Sequence, residues 1–484
     1  MAKEGSISTA AGCACFRYLD NEEAYPDLDA GGAVEHLRAA IRCETVNTDP
    51  EKTDFSQFDK LHELMRSSYP HVMEAGTFEI IQHSVLITIP GSNPALKPLL
   101  LMAHQDVVPV VAGTEDSWEH PPFEATLDET FIWGRGSMDI KLMVIGELEA
   151  AEYVLAHGKQ LQRTLYLAFG EDEETFGTGA KAIVKTLADR GVRLEFLLDE
   201  SVTVVRDMGL YGAPGTLGIE VELAEKGDTA VKVTVRSEGG HASNPFGGTS
   251  LGILSQAISS IVAQPFPIEL SPVTEQLLRT LAPYITESPW KELVSPDGTL
   301  IEENRDQLAM FFASQKTLYP YVTTTCAPTM IDGSSQAPNV MPKDMSAIID
   351  FRSMPGTCVE DVMGHCAEAV EDLPVELSAH LAVNPSSVAV SDGYGFKAIS
   401  EVGSRFFRDT VTGAPVLFLP SFTVGGTDAG YYDPVCDTCL RMSPFLLDDD
   451  EQARGVHGTN ERVTKRSYLH GIRFLIALIE HVCL

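Results

Sequence analysis

The chain has 484 residues, 44% of them hydrophobic and 8% aromatic, which is ample for a buried core and more than one usual domain requires. Its 35 Lys and Arg stand against 69 Asp and Glu, and a formal charge of -34 argues against nucleic acid or an anionic membrane as a partner. Nine cysteines, odd in number and mostly scattered, suit a reducing cytoplasm better than a disulfide framework. Met1 to Ala11 is small and polar, unlike a secretory signal, and the apolar run Gly471 to Leu484 is too short to cross a bilayer and reads as a core helix. A cytoplasmic protein without disulfide staples is expected.

The first informative run is Leu99-Leu100-Leu101-Met102-Ala103-His104-Gln105-Asp106, a buried strand entering a loop. Residues two apart on a strand share a side, so the Asp106 carboxylate is placed to hold one ring nitrogen of His104 and leave the other for a metal. Gly134-Arg135-Gly136-Ser137-Met138-Asp139 is a glycine-rich turn, and Leu142, Ile145, Leu148, Tyr153 and Val154 behind it have the spacing of an amphipathic helix to about His157. Asp139 there suits either a helix N-cap or a carboxylate that bridges two cations.

Thr164 to Phe169 is strand-like and runs into Gly170-Glu171-Asp172-Glu173-Glu174, followed by another helical stretch. Four consecutive acids repel one another unless solvent or divalent cations relieve them, and the pair Glu173 and Glu174 offers a base beside a metal ligand. Leu194 to Leu198 is a third apolar run, ending in Asp199-Glu200.

Ala224 to Asp228 reads as a hinge into a strand Ala230 to Val235, after which Gly240-His241 forms a turn. A helix follows over Thr249 to Val262, then a Pro-rich break over Gln264 to Pro272 and a mixed helical and loop stretch over Val273 to Ile301. Strands are expected at Tyr321 to Met330, Ser346 to Phe351 and Val375 to Leu381, with a helix over Val359 to Leu373. Arg352 closes the middle strand, and its planar fork suits a carboxylate, although an isolated Arg most often forms a surface salt bridge. In the loop Gly425-Gly426-Thr427-Asp428 the glycines allow backbone donors to approach the same group.

Cys436-Asp437-Thr438-Cys439 lacks the strand and helix frame of a redox pair, and its only possible partner in a structural metal site is the distant Cys13-x-Cys15. Ordinary packing near the rim of a site fits it better. Val456-His457-Gly458-Thr459-Asn460-Glu461-Arg462 precedes the last helical segment, through Ile479. Strand and helix alternate through the outer parts of the chain, which implies an α/β fold with a mostly parallel sheet, and ligands of such sheets gather at the carboxyl ends of the strands. His104, Asp139, Glu174, Asp199 and His457 all lie where a strand-like run ends or a helix-like run begins.

Taken in order, His104-x-Asp106, Gly-Arg-Gly-Ser-Met-Asp139, Asp172-Glu173-Glu174, Asp199-Glu200, Gly240-His241-Ala242-Ser243, Asn339-Val340-Met341-Pro342, Arg352 and His457-Gly-Thr-Asn-Glu-Arg resemble the co-catalytic zinc peptidases that include aminoacylase, carboxypeptidase S and carboxypeptidase G. The resemblance runs from about residue 30 to the end and is nearest the carboxypeptidase S and N-acyl-amino-acid hydrolase branch. It implies a zinc-peptidase-like catalytic domain over residues 1-225 and 384-484, with an inserted α+β lid or dimerisation domain over 226-383. Asp139 would bridge two zinc ions, His104 and Asp199 completing one site and Glu174 and His457 the other.

Either Asp199 or Glu200 serves in relatives, and Asp199 is preferred here because it directly ends the strand. Glu173 would be the general base, Asp106 a supporting residue, His241 an oxyanion donor, and Asn339, Arg352, Gly425 and Gly426 substrate contacts. Manganese or cobalt would suit the same ligands. The insertion permits a homodimer or an enlarged lid on a monomer. The expected reaction is hydrolysis of an amide beside a free amino-acid carboxylate, in a dipeptide or N-acyl amino acid. Two-metal hydrolysis of another small nitrogen compound and a non-catalytic binding protein on the same scaffold are the alternatives.

Overall fold

The computed structural model describes residues 13–300, 302–447, 451 and 456–484. The opening Met1 to Ala11, and Ile301 in the mixed stretch, lie outside them. The chain divides into two compact units, one of residues up to Leu223 with Ala389–Leu419 and Thr427–Leu484, the other of Ala224–Val388 with Pro420–Gly426.

In the first unit the strands are β1 (Thr77–Ile81), β2 (Ser84–Ile89), β3 (Leu99–His104), β4 (Phe131–Trp133), β5 (Leu165–Gly170), β6 (Phe196–Asp199), β7 (Arg206–Met208) and β8 (Ala213–Glu225), the last of which leads into the second unit. The second unit contributes β9 (Gly227–Val235), β10 (Gly240–His241), β11 (Thr325–Asp332), β12 (Val340–Met341), β13 (Met345–Ser353) and β14 (Glu376–Val383). The chain then returns through β15 (Val416–Thr423), β16 (Cys439–Arg441) and β17 (Arg462–Thr464).

The large sheet runs β1-β2-β5-β3-β6-β16-β8-β15, with β7 on β8. Its centre, where β5, β3, β6 and β16 lie side by side, is parallel, while β1, β2 and β8 are antiparallel to their neighbours. Every residue of β3, β5 and β6 is buried, which is why these strands read as unbroken apolar runs rather than as alternations. On one face Ala180, Ile183 and Leu187 of the helix Thr178–Asp189 pack on Leu100, Met102, Tyr166 and Ala168.

The helix Lys141–Ala156 was expected to show a solvent face, but it is buried almost all round. It packs on β3 and is covered by the closing helix Lys465–Cys483 and by Ala30–Ile41. A central helix of this kind has no polar stripe to display. Among the described residues no helix is long and apolar enough to cross a membrane.

The second unit is built on the antiparallel sheet β11-β13-β9-β14. β13 alternates strictly between buried and half-buried positions, and its inward side packs with the helices Ser250–Val262 and Val359–Ala369. The strand expected from Tyr321 begins later, at Thr325, because Tyr319–Tyr321 is a short helical turn around Pro320. The expected hinge Ala224 to Asp228 is extended chain broken only at Lys226, whose buried ammonium donates to Pro320 O and Thr323 O, each at 2.8 Å. Burial brings that Lys down to about 7, with Arg352 adding to the shift.

Candidate active site

His104 ends β3, Gly170 ends β5 and Asp199 ends β6, so the three parallel strands deliver their carboxyl ends to one edge of the first unit. The acidic loop after β5 brings Glu173 and Glu174 there, and the turns Gly134 to Asp139 and His457 to Glu461 bring the rest. The Gly134 turn needs its glycines. Gly134 and Gly136 have φ of 145° and 87°, and a Cβ would lie 2.6 Å from Ile41 Cγ2 at the first and 2.9 Å from Val107 Cγ1 at the second.

Asp139 lies between two histidines. Its Oδ1 is 3.2 Å from His104 Nε2 and its Oδ2 is 3.0 Å from His457 Nε2. On the first side Glu200 Oε1 is 3.4 Å from His104 Nε2, and on the second Glu174 Oε2 is 3.0 Å from His457 Nε2. Two sets of convergent ligand atoms result, His104 with Asp139 and Glu200, and Asp139 with Glu174 and His457. One carboxylate shared by two His and carboxylate sets is a donor arrangement suited to a pair of borderline divalent cations.

The structure brings four of the five expected ligands together and replaces the fifth. Asp199 turns away, its Oδ2 accepting from Ala429 N at 2.9 Å and its Oδ1 from Glu200 N at 2.8 Å, while Glu200 takes the place beside His104. Side chains alternate at the end of a strand, so a shift of one residue reverses which carboxylate faces the cluster.

Glu173 Oε2 lies 4.0 Å from His104 Nε2. Fully buried Asp106 accepts from the backbone N–H groups of Glu173 and Glu174, each at 3.2 Å, and so holds the two residues in fixed relation. It also faces His104 Nδ1, but the nearer acceptor there is its backbone carbonyl, at 3.0 Å against 3.4 Å for the carboxylate. The main chain therefore shares the orienting task expected of the side chain alone.

The charges are far from their ordinary state. Burial opposes protonation of His104, yet Glu200, Asp106 and Asp139 outweigh it and hold the ring well above its usual pKa. Hydrogen bonds to Asp139 and Glu174 raise His457 to about 10. Burial lifts the Glu173 carboxyl, His104 pulls it back, and Glu200, Asp428 and Asp106 push it up again. Glu200 is raised for the same first reason. Packed acids that must otherwise protonate, and histidines that must otherwise be charged, form a site whose electrostatics a cation would reverse.

In the second unit His241 and Asn339 are neighbours. β10 pairs with β12 in register His241↔Val340, and Ala242 N donates to Asn339 O at 2.9 Å. His241 is exposed and its Nδ1 is taken by Ser243 Oγ at 2.8 Å, so Nε2 is the nitrogen left for a ligand. Arg352 differs from the expectation of a fork open to substrate, because Nη1 lies 2.9 Å from Asp228 and Nε 3.2 Å from Asp350. The register Arg352↔Asp228 across β13 and β9 puts those acids on its own face. Gly425 N donates to Thr423 Oγ1 at 3.2 Å, and a Cβ at Gly426 would meet nothing within 4 Å. Sequence reasoning missed Glu461, whose carboxylate holds the Asp139 turn; the signal was a glycine-rich turn with several N–H groups in need of an acceptor.

None of the nine cysteines forms a disulfide among the described residues. Cys436 and Cys439 are buried and meet each other, the Cys436 thiol raising the pKa of Cys439, and neither belongs to a metal-ligand cluster among the described residues.

The model of peptidase family M20/M25/M40 matches residues 100–481. An N-fatty-acyl-amino acid synthase/hydrolase, PM20D1, from Xenopus tropicalis is 31% identical over 456 residues, covering 93% of this chain and 85% of that protein. Carboxypeptidase S from Saccharomyces cerevisiae is 28% identical, covering 93% and 84%. The crystal structure of the M20 family metallo-carboxypeptidase Sso-CP2 from Sulfolobus solfataricus superposes with a TM-score of 0.67 at 17% identity, covering 93% of this chain and 98% of that one. The chain belongs to peptidase family M20/M25/M40, and is a hydrolase of that metal-dependent family.

Proposed function

We propose that the chain is a two-metal hydrolase of the amide bond beside a free amino-acid carboxylate, acting on dipeptides or N-acyl amino acids. The observation that carries this reading is Asp139, whose two oxygens face two different histidines, each backed by its own carboxylate. His104, Asp139 and Glu200 would hold one divalent cation, most simply zinc, and Asp139, Glu174 and His457 the other. Cations held there supply Lewis acidity, lowering the pKa of water from 15.7 to about 7 in the best zinc sites and polarising a carbonyl.

The rest is work for the protein's own groups. Glu173, half-buried beside His104, is proposed to take a proton from the attacking water and return it to the leaving amine. Asp106 keeps Glu173 and Glu174 in fixed relation through their backbone N–H groups. A non-catalytic binding protein would need the ligands but not this base. His241 is proposed as the oxyanion donor through Nε2, and Asn339 as its neighbour in positioning substrate. Arg352 is left out because Asp228 and Asp350 already hold it.

The names of the two curated relatives share an amide whose nitrogen belongs to an amino acid, which supports that substrate class. The test is metal content together with turnover on a panel of dipeptides and N-acyl amino acids after loading with zinc. Two bound metals without hydrolysis of either class would replace this reading with a binding function.

A further inference from the structure

Glu461 is fully buried and spends both oxygens on the loop that carries Asp139. Its Oε1 accepts from three backbone N–H groups, Gly136 at 2.9 Å, Met138 at 2.7 Å and Asp139 at 3.1 Å. Its Oε2 lies 2.6 Å from Arg135 Nη1. Arg135, itself buried, donates from Nη2 to His457 O at 3.1 Å, and Gly134 N donates to Glu461 O at 2.9 Å. The turn ending in Asp139 and the turn beginning with His457 thus form one hydrogen-bonded block, with a candidate ligand on each.

His457 and Asn460 have φ of 69° and 67°, in the left-handed region that Asn and His enter more readily than most residues other than glycine. Asn460 is fixed by accepting from Glu119 N at 2.6 Å, and His457 by the Arg135 contact to its carbonyl.

We propose that Glu461 is the positioning residue of the metal centre, and that the Arg135–Glu461 pair sets the bridging carboxylate and the His457 imidazole as a single unit. Asp139 must place one oxygen on each side to within a fraction of an ångström, and no side chain of its own loop holds it there. A carboxylate gathering the N–H groups of Gly136, Met138 and Asp139 fixes that backbone, and its charge is matched by a guanidinium that reaches the other loop. This deepens the two-metal reading and rests on it.

The experiment is zinc titration of the metal-depleted full-length chain against a chromophoric chelator, alongside thermal melting of the metal-free forms. Glu461→Gln keeps a carbonyl oxygen for the N–H groups but turns an amide N–H toward Arg135. Both zinc equivalents are expected to weaken, by about 10- to 100-fold, the usual effect of losing a ligand's supporting partner. Arg135→Lys keeps a cation at Glu461 and loses the contact to His457, so one equivalent of the two should weaken.

A role in folding alone would lower the melting temperature and leave zinc affinity unchanged, and Glu461→Gln binding both ions as tightly as the parent overturns the proposal. Should Glu461→Gln fail to fold, Arg135→Lys decides in the same way, since unchanged binding of both equivalents is again fatal. A parent chain that takes fewer than two zinc ions overturns the two-metal reading instead, and the variants' affinity for the remaining ion still judges Glu461.

Discussion

The two halves of the candidate metal-ligand cluster are built on opposite plans. His104 stands at the end of a fully buried strand with its side chain 1% exposed, whereas His457 stands on a left-handed turn with its side chain 51% exposed. Each ring has a carboxylate of its own and shares Asp139. The buried half takes its precision from the sheet, since β3 is pinned by β5 and β6 on either side. The open half takes it from local contacts, namely Arg135 to the His457 carbonyl and Glu461 to the neighbouring turn.

The comparison can be broken first at Glu173, the proposed general base. Glu173→Gln should lower kcat by about 10²- to 10⁴-fold, the usual contribution of a positioned general base, while both metals stay bound. Normal turnover in that variant would remove Glu173 from the mechanism.

The next largest effect should separate the halves. In the metal-free protein His104→Ala leaves Asp139 and Glu200 buried without their cation, which costs about 3–5 kcal/mol when one partner of a buried pair is removed. His457→Ala should lower the melting temperature far less, because half of that ring already faces solvent. Equal losses in thermal melts would show that the halves are not distinct.

A titration sharpens the contrast. His457 is raised from 6.5 to about 10 by Asp139 and Glu174, so its ion pairs stabilise the metal-free fold fully below about pH 6.5. That stability is lost as pH rises through 10. The metal-free melting temperature should therefore fall across that window, and the zinc-loaded protein, with a neutral ring bound to metal, should not follow it. Zinc loading near pH 7 should also release protons, measurable in a weakly buffered solution. Loading without proton release would argue against His457 as a ligand.

The smallest effect concerns the interior beneath the buried half. Glu147 on the helix Lys141–Ala156 is fully buried with neither carboxylate oxygen hydrogen-bonded, and burial, then Asp199, holds its pKa well above 4.5. An acid raised in the folded state contributes stability below its unfolded value of 4.5 that is lost as pH rises. Glu147→Met should therefore stabilise the protein at pH 7 by about 1–3 kcal/mol, the cost of a buried polar group without a partner, and less at pH 4. A destabilised variant would mean that Glu147 has a partner in solution.

The sequence showed the buried half more fully than the open one. A strand covered on both faces leaves an unbroken apolar run, so Leu99 to Ala103, Leu165 to Phe169 and Phe196 to Leu198 announced both the sheet and the residues at its edge. At Asp199 and Glu200 the same signal stopped one residue short, because an apolar run says where a strand ends and not which way its last side chains turn. β8, β15 and β16 were not read at all. β8 mixes Pro, Gly and Glu, and β16 is only three residues long.

What the chain order alone determined were the groups available: acids and histidines at the ends of apolar runs, the adjacent pair Glu173 and Glu174, and a glycine-rich turn before a helix. Only the folded chain decided which of them meet. It brought His457 to Glu174 across more than half the sequence, gave Arg352 to Asp228 and Asp350, and set Glu461 beneath Asp139. Periodicity is a local property that reports burial and element type, whereas the partner of a charged side chain is fixed by strand order and register, which bring together residues that no local pattern connects.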